Sequence, residues 1–170
     1  NALSVASTKG YLNLVNYLLI ETVIENATAR NNHALGCAAA NDHPAVVNRL
    51  LEIPVVRANA AAIDNQALRL AASNGHLDVV NCLLEINEVR ASATALDNWA
   101  LRLAAINGHL EVVNRLLEID EVRANAGACD NWALRLAARN GHLEVVNRLL
   151  EIAEVRANAA AQDNDALRLA

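Results

Sequence analysis

Four histidines recur at one spacing: His43, His76, His109 and His142, each 33 residues after the one before. Imidazoles hold a metal when several converge on one point at ligand distance. Residues one structural repeat apart instead lie about 8–10 Å from each other, the spacing of packed helices. A capping or turn role is therefore expected of them, and no metal. The arginines form two rows of the same period: Arg69, Arg102, Arg135 and Arg168, and Arg57, Arg90, Arg123 and Arg156. A basic ladder would suit an acidic partner or phosphates. Recurrence with the period favours structural pairing, with Asp64, Asp97, Asp130 and Asp163 or with Glu85, Glu118 and Glu151. Cys37, Cys82 and Cys129 fall at three different places of the period. They form neither a disulfide framework nor a zinc-binding pattern, and read as thiols in a reducing compartment.

No nucleophile–base pair, phosphate-cradling glycine loop or isolated pair of carboxylates occurs. The chain is thus expected not to be an enzyme, and to need no cofactor and no small-molecule substrate. Its net charge of −5 lacks the broad positive field that nucleic acid requires, so none is expected as partner. It contains no apolar run of about 18 residues, the length that would span a membrane, and no visible signal peptide. These features point to the cytoplasm. The absence of Met at position 1 suggests a processed chain or an excerpt.

The elements that carry these residues follow from self-comparison. The pairs Asp64-Asn65, Asp97-Asn98, Asp130-Asn131 and Asp163-Asn164 lie 33 residues apart, and Asn31-Asn32 extends the series upstream. A variable residue follows each, then Ala-Leu. A fixed period of this size marks a solenoid. Within a unit, Leu68, Ala71 and Ala72 share one face of a first helix. Gly75 supplies the left-handed stop. Leu77, Val80, Leu83 and Leu84 then line a second helix, and Val79 widens its apolar face. In the second unit Pro44 fits the first position of a helix with His43 as its cap, and Pro54 ends that helix near Ile53. Asp42 is one of the few residue types that tolerate the left-handed conformation in the place of Gly75. Helix pairs are expected near 2–20, 34–53, 66–86, 99–119 and 132–152, with a partial sixth unit from 163. Composition agrees with an all-α chain, since 54% is hydrophobic but without Phe or Met.

The run Gly141-His142-Leu143-Glu144-Val145-Val146-Asn147-Arg148-Leu149-Leu150 resembles an ankyrin repeat. It recurs at Gly75-His76 and Gly108-His109, and in altered form at Gly10-Tyr11 and Asp42-His43. The resemblance covers essentially the whole chain and implies an all-α, ankyrin-like α-solenoid of stacked helix-turn-helix repeats. Where the family usually reads T-P-L-H, this sequence has Trp132-Ala133-Leu134-Arg135. Trp has no side-chain acceptor, so Asp130 or Asn131 is expected to cap that helix. The connector Ile152-Ala153-Glu154-Val155-Arg156-Ala157-Asn158 favours helix over strand, which predicts a helical turn where the family has a β-hairpin.

The resemblance also implies a protein-interaction scaffold that grips its partner on the concave side, lined by connectors and first helices. Positions that vary between units there are the candidate partner-binding residues: Ile63 and Leu96; Gln66, Trp99 and Trp132; Ser73, Ile106 and Arg139. Trp99 and Trp132, one unit apart, are either neighbouring anchors or fillers of gaps between alanines. A second function keeps the chain as the non-catalytic, substrate-recognition arm of a larger multidomain enzyme or of a host-directed effector. Ala-Leu-Arg variants of this kind resemble arrays in large DNA viruses and intracellular bacteria, which implies a host cell's cytoplasm as the destination.

Overall fold

The computed structural model describes residues 2–21 and 25–161, and every described element is an α-helix or turn. Two compact units are distinguished: one runs up to Ala71 and includes His76–Ser92, and the other comprises Ala72–Gly75 with Ala93 onward. The first unit holds α1 (Ala2–Thr8), α2 (Leu12–Glu21), α3 (Glu25–Ala40), α4 (Pro44–Leu51), the short α5 (Pro54–Ala58), most of α6 (Ala62–Asn74), α7 (Leu77–Leu84) and α8 (Asn87–Ala91). The second holds α9 (Ala95–Ile106), α10 (Leu110–Leu117), α11 (Asp120–Ala124), α12 (Ala128–Arg139), α13 (Leu143–Leu150) and α14 (Ala153–Ala161). The sixth repeat expected from 163 lies outside the described residues. Among those described, no helix is long and apolar enough to cross a membrane.

Hairpins stack within each unit as the period requires. In the first, α1 lies beside α3 and α2 beside α4, which in turn meets α7; in the second, α9 lies beside α12 and α10 beside α13. The close approach of first helices follows from their alanines, since Ala104, Ala105, Ala137 and Ala138 are all buried. The second helices α4, α7 and α10 each bury a pair of valines and a pair of leucines, as with Val112, Val113, Leu116 and Leu117. Truncating one such leucine to Ala costs about 2–5 kcal/mol in a close-packed interior. The fold class is the all-α, ankyrin-like one anticipated from the sequence.

The connectors are helical. Ile53, Ile86 and Ile119 turn extended, and α5, α8 and α11 follow at once, so no β-hairpin forms at these three places. Pro54 opens α5, where its missing N–H has no partner to lose. Arg90 donates from Nε and Nη2 to the carbonyl of Leu84, the last residue of α7. Arg123 donates from Nη1 to Leu117, the last residue of α10, and also pairs with Asp120. Basic side chains here satisfy the orphan carbonyls of a helix end and oppose its negative pole.

The glycine and histidine positions lock one hairpin to the next. Gly10, Gly75, Gly108 and Gly141 are left-handed, with Asp42 filling the same role at φ 56. The histidine of the following repeat lies against the glycine, with a ring atom 2.5–2.6 Å from where a Cβ would stand at Gly10, Gly75 and Gly108. Nε2–H of each histidine donates back across the repeat boundary, from His43 to Thr8, His76 to Ala40, His109 to Ser73 and His142 to Ile106, at 3.0–3.2 Å. His43 stands at the cap expected from Pro44, without a capping bond from its side chain. Its counterparts stand likewise before α7, α10 and α13. The ring serves the preceding repeat instead.

Candidate partner-binding surface

Between connector and first helix the chain passes through three consecutive left-handed residues. Ile63, Asp64 and Asn65 have φ 51, 51 and 59. Leu96, Asp97 and Asn98 repeat the conformation, as do Cys129, Asp130 and Asn131. The backbone N–H of the asparagine closes each turn on the carbonyl four residues back, Ala61, Thr94 or Gly127, at 3.0 Å. Left-handed geometry costs an L-residue roughly 1–2 kcal/mol, and Asn and Asp bear it better than most.

The asparagine side chain recovers part of that cost. Asn32, Asn65, Asn98 and Asn131 are buried, and Nδ2 of each donates to a carbonyl of the short helix 24 residues on: Val56, Val89, Val122 and Val155. Capping by Asp130 or Asn131 is accordingly not what is seen. Asn131 spends its amide on Val155, and its Oδ1 has no partner. The right-handed part of α12 begins at Trp132 without a side-chain cap, because the left-handed turn already aims the preceding groups elsewhere.

The arginines are structural, but their partners differ from those expected. Arg69 Nη2 donates to the Ile63 carbonyl at 3.0 Å. Arg102 Nη1 reaches the carbonyls of Leu96 and Asp97 at 3.4 Å each. Backbone, not carboxylate, is the acceptor, because a left-handed turn points its carbonyls back along the following helix. Glu118 and Glu151 pair with Arg115 and Arg148 on their own helices, at 2.8 and 2.9 Å. Such exposed pairs contribute little.

The candidate residues fall into two groups. Ser73 and Ile106 stand at the end of the first helices and lend their carbonyls to His109 and His142, and each carbonyl also receives an asparagine amide, from Asn107 and Asn140. Arg139, the third of this set, is exposed. At the other end, Ile63 is 45% and Leu96 50% exposed, both in the left-handed turn, while Gln66 is half-buried. Trp99 and Trp132 lie side by side with centroids 5.4 Å apart and planes tilted by 39°.

Arg102 was hidden from sequence reasoning as one member of a recurring row. Its guanidinium carbon lies 3.8 Å from the Trp132 ring centre and 4.5 Å from that of Trp99. Cation–π contact of this kind contributes about 0.5–2 kcal/mol. Cys129 Sγ is 3.5 Å from Arg102 Nη1 and 3.7 Å from Asp97 Oδ2. Burial lowers the Arg102 pKa below the usual guanidinium value, against the opposing pull of Cys129 and Asp97. The clue in the sequence was the i, i+3 spacing of Trp99 and Arg102 on one helix face.

A family model described as ankyrin repeats in three copies matches residues 3–95 and 68–165. The chain belongs to the ankyrin repeat family. None of the curated proteins matches it. Ankyrin repeats are generally protein–protein interaction modules, and their all-helical fold is typically non-catalytic. In this ankyrin array Trp-Ala-Leu-Arg takes the place of the usual first-helix opening, and a left-handed turn with a helical connector does the work of the family's hairpin.

Proposed function

We propose that the chain is a protein-interaction scaffold whose partner surface runs along the left-handed turns and the starts of the first helices. Its residues in the first unit are Ile63 and Gln66, and in the second Leu96, Trp99 and Trp132 with Ser73, Ile106 and Arg139 at the far ends of the first helices. One observation carries this reading: Ile63 and Leu96 are large, apolar, exposed and left-handed at once. A β-branched or bulky residue with positive φ stores strain, and an exposed apolar side chain does little to offset it. Asn or Gly would serve the fold better at both places. Strain retained without benefit to the fold points to a use outside it.

The recurring residues support the same division of labour. The recurring Asn and His side chains are spent on bonds within the array, which leaves the non-recurring positions to distinguish one partner from another. Tryptophan is enriched where interfaces concentrate their binding energy. The test is a pull-down with the native chain beside a Trp99→Ala/Trp132→Ala variant of unchanged helicity. A partner held through this surface should bind about thirtyfold more weakly to the variant, the effect of a 2 kcal/mol hot spot. Equal capture by the two proteins would remove the surface from consideration.

A further inference from the structure

Arg102 carries a positive charge into the protein with no carboxylate at ion-pair distance, and Asp97 acts on it only from further away. Arg102 is 7% exposed, and among the described residues no carboxylate oxygen lies within ion-pair distance of it. Nη1 is spent on three long contacts, to two carbonyls and a thiol. Nε is buried without a partner, and Nη2 has no acceptor, yet is not sealed from solvent as Nε is. A buried cation normally finds a counter-charge, since desolvation is costly without one. The repeat does not explain the arrangement. Arg69, the preceding member of the row, shares the unpartnered buried Nε but is less buried, has Nη2 bonded to Ile63, and follows Gln66 where Arg102 follows Trp99.

We infer that the Nη2 edge of Arg102, walled by Trp99 and Trp132, is the seat of a carboxylate side chain, Glu or Asp, presented by a partner protein. This rests on the interaction reading and gives the partner its chemistry. With Nε sealed and Nη1 engaged, Nη2 offers one charge-assisted hydrogen bond, which a carboxylate oxygen can accept. A phosphate dianion, with twice the charge, meets more repulsion than a carboxylate from Asp97, whose charge reaches Arg102. The indole faces and the exposed Leu96 give the aliphatic stem and neighbouring residues of an acidic segment apolar surface to lie on. Closing the seat by a partner excludes water and strengthens the ion pair.

The chain contains only two tryptophans, and both line the seat, so their emission reports occupancy directly. The probe is a capped pentapeptide, Ala-Leu-Glu-Leu-Ala, beside the same peptide with Gln in the centre, and inorganic phosphate as a third arm. The Glu peptide should change the emission saturably at millimolar concentration. The Gln peptide should bind about tenfold more weakly, as loss of a charged hydrogen bond requires. Arg102→Met should abolish the preference for Glu while keeping an apolar stem against the rings, and Arg102→Lys should retain part of it. If Arg102→Met does not fold, as judged by its helicity, the Glu–Gln comparison on the unaltered chain decides alone. Equal responses to Glu and Gln, a response to phosphate alone, or no saturable change would each overturn the carboxylate seat. None of these outcomes touches the wider interaction reading, which stands or falls on the tryptophan variants and a captured partner.

Discussion

The imidazole of His142 lies flat against Gly108, so close that a Cβ there would stand 2.5 Å from Nδ1. Gly108 needs its missing side chain twice over, once for φ 75 and once for the ring. Gly141 has the same φ, at 76, with nothing within 4 Å of its Cβ position. The pair separates two costs that usually come together. Gly141→Ala should lose about 1 kcal/mol, the penalty of left-handed Ala. Gly108→Ala should lose that and about 1–3 kcal/mol more from the overlap. Thermal melts of the two variants check it, at roughly 2–4 °C per kcal/mol for a chain of this size. Adding His142→Ala to Gly108→Ala should recover part of the difference; identical melting of the two glycine variants would show that the ring contact carries no weight.

Asn98 joins backbone geometry to a tertiary bond. It is left-handed, and its Nδ2 donates 2.7 Å to Val122 in α11. Asn98→Gly keeps the conformation and loses the bond, at a cost of about 1–2 kcal/mol. Asn98→Ala loses the bond and strains the turn, so it should cost about 1 kcal/mol more. Urea denaturation of both variants is the measurement. An Ala variant as stable as the Gly variant would mean that the turn relaxes freely to another conformation.

The period, the helix faces and the helical connector were all legible, because each depends on local pattern: Leu68 with Ala71, Gly75 as a stop, the Ala-rich run after Ile152. What escaped was set by geometry that no single segment encodes. The Asp-Asn pairs hinted at left-handed residues, but Ile63, Leu96 and Cys129 before them concealed a whole turn of that hand. The histidines looked like caps because they precede helices, whereas their ring bonds run to residues 35 or 36 positions earlier. The arginine row announced its recurrence and not its acceptors. At the candidate surface the tryptophans were legible as an adjacent pair. The guanidinium that lies against both rings appears only once α9 and α12 are placed side by side.

Burial raises the Cys82 thiol above the usual value of 9.0, with Glu85 and Asp78 adding to the effect and Asn48 opposing it. A group whose folded pKa is raised contributes stability that is fully present below the unfolded pKa and is lost as pH rises through the folded one. The native protein should therefore lose stability from about pH 9 upward more steeply than Cys82→Ala, which has no proton to release there. Exposed Cys129 should also be alkylated ahead of Cys82 at pH 8, because Cys82 is less accessible and burial leaves it less of the reacting thiolate. Mass spectrometry of peptides after timed iodoacetamide treatment gives the order. Faster labelling of Cys82 would contradict the burial argument.

Leu96→Asn should make the protein more stable and a poorer binder at the same time. Leu96 holds φ 54 with half its surface in water, so its side chain gives little packing in return for the strain. Asn tolerates the left-handed region and removes an exposed apolar group, which should add about 0.5–1 kcal/mol and raise the melting temperature by roughly 2–4 °C. Stabilising substitutions at strained functional positions commonly cost function. Capture of a partner by the Leu96→Asn protein should accordingly fall, although Trp99, Arg102 and Trp132 are untouched. The two readouts separate the explanations for this residue. A lower melting temperature would show that Leu96 is kept for the fold, and a higher one with undiminished capture would leave its strain without a use at this surface.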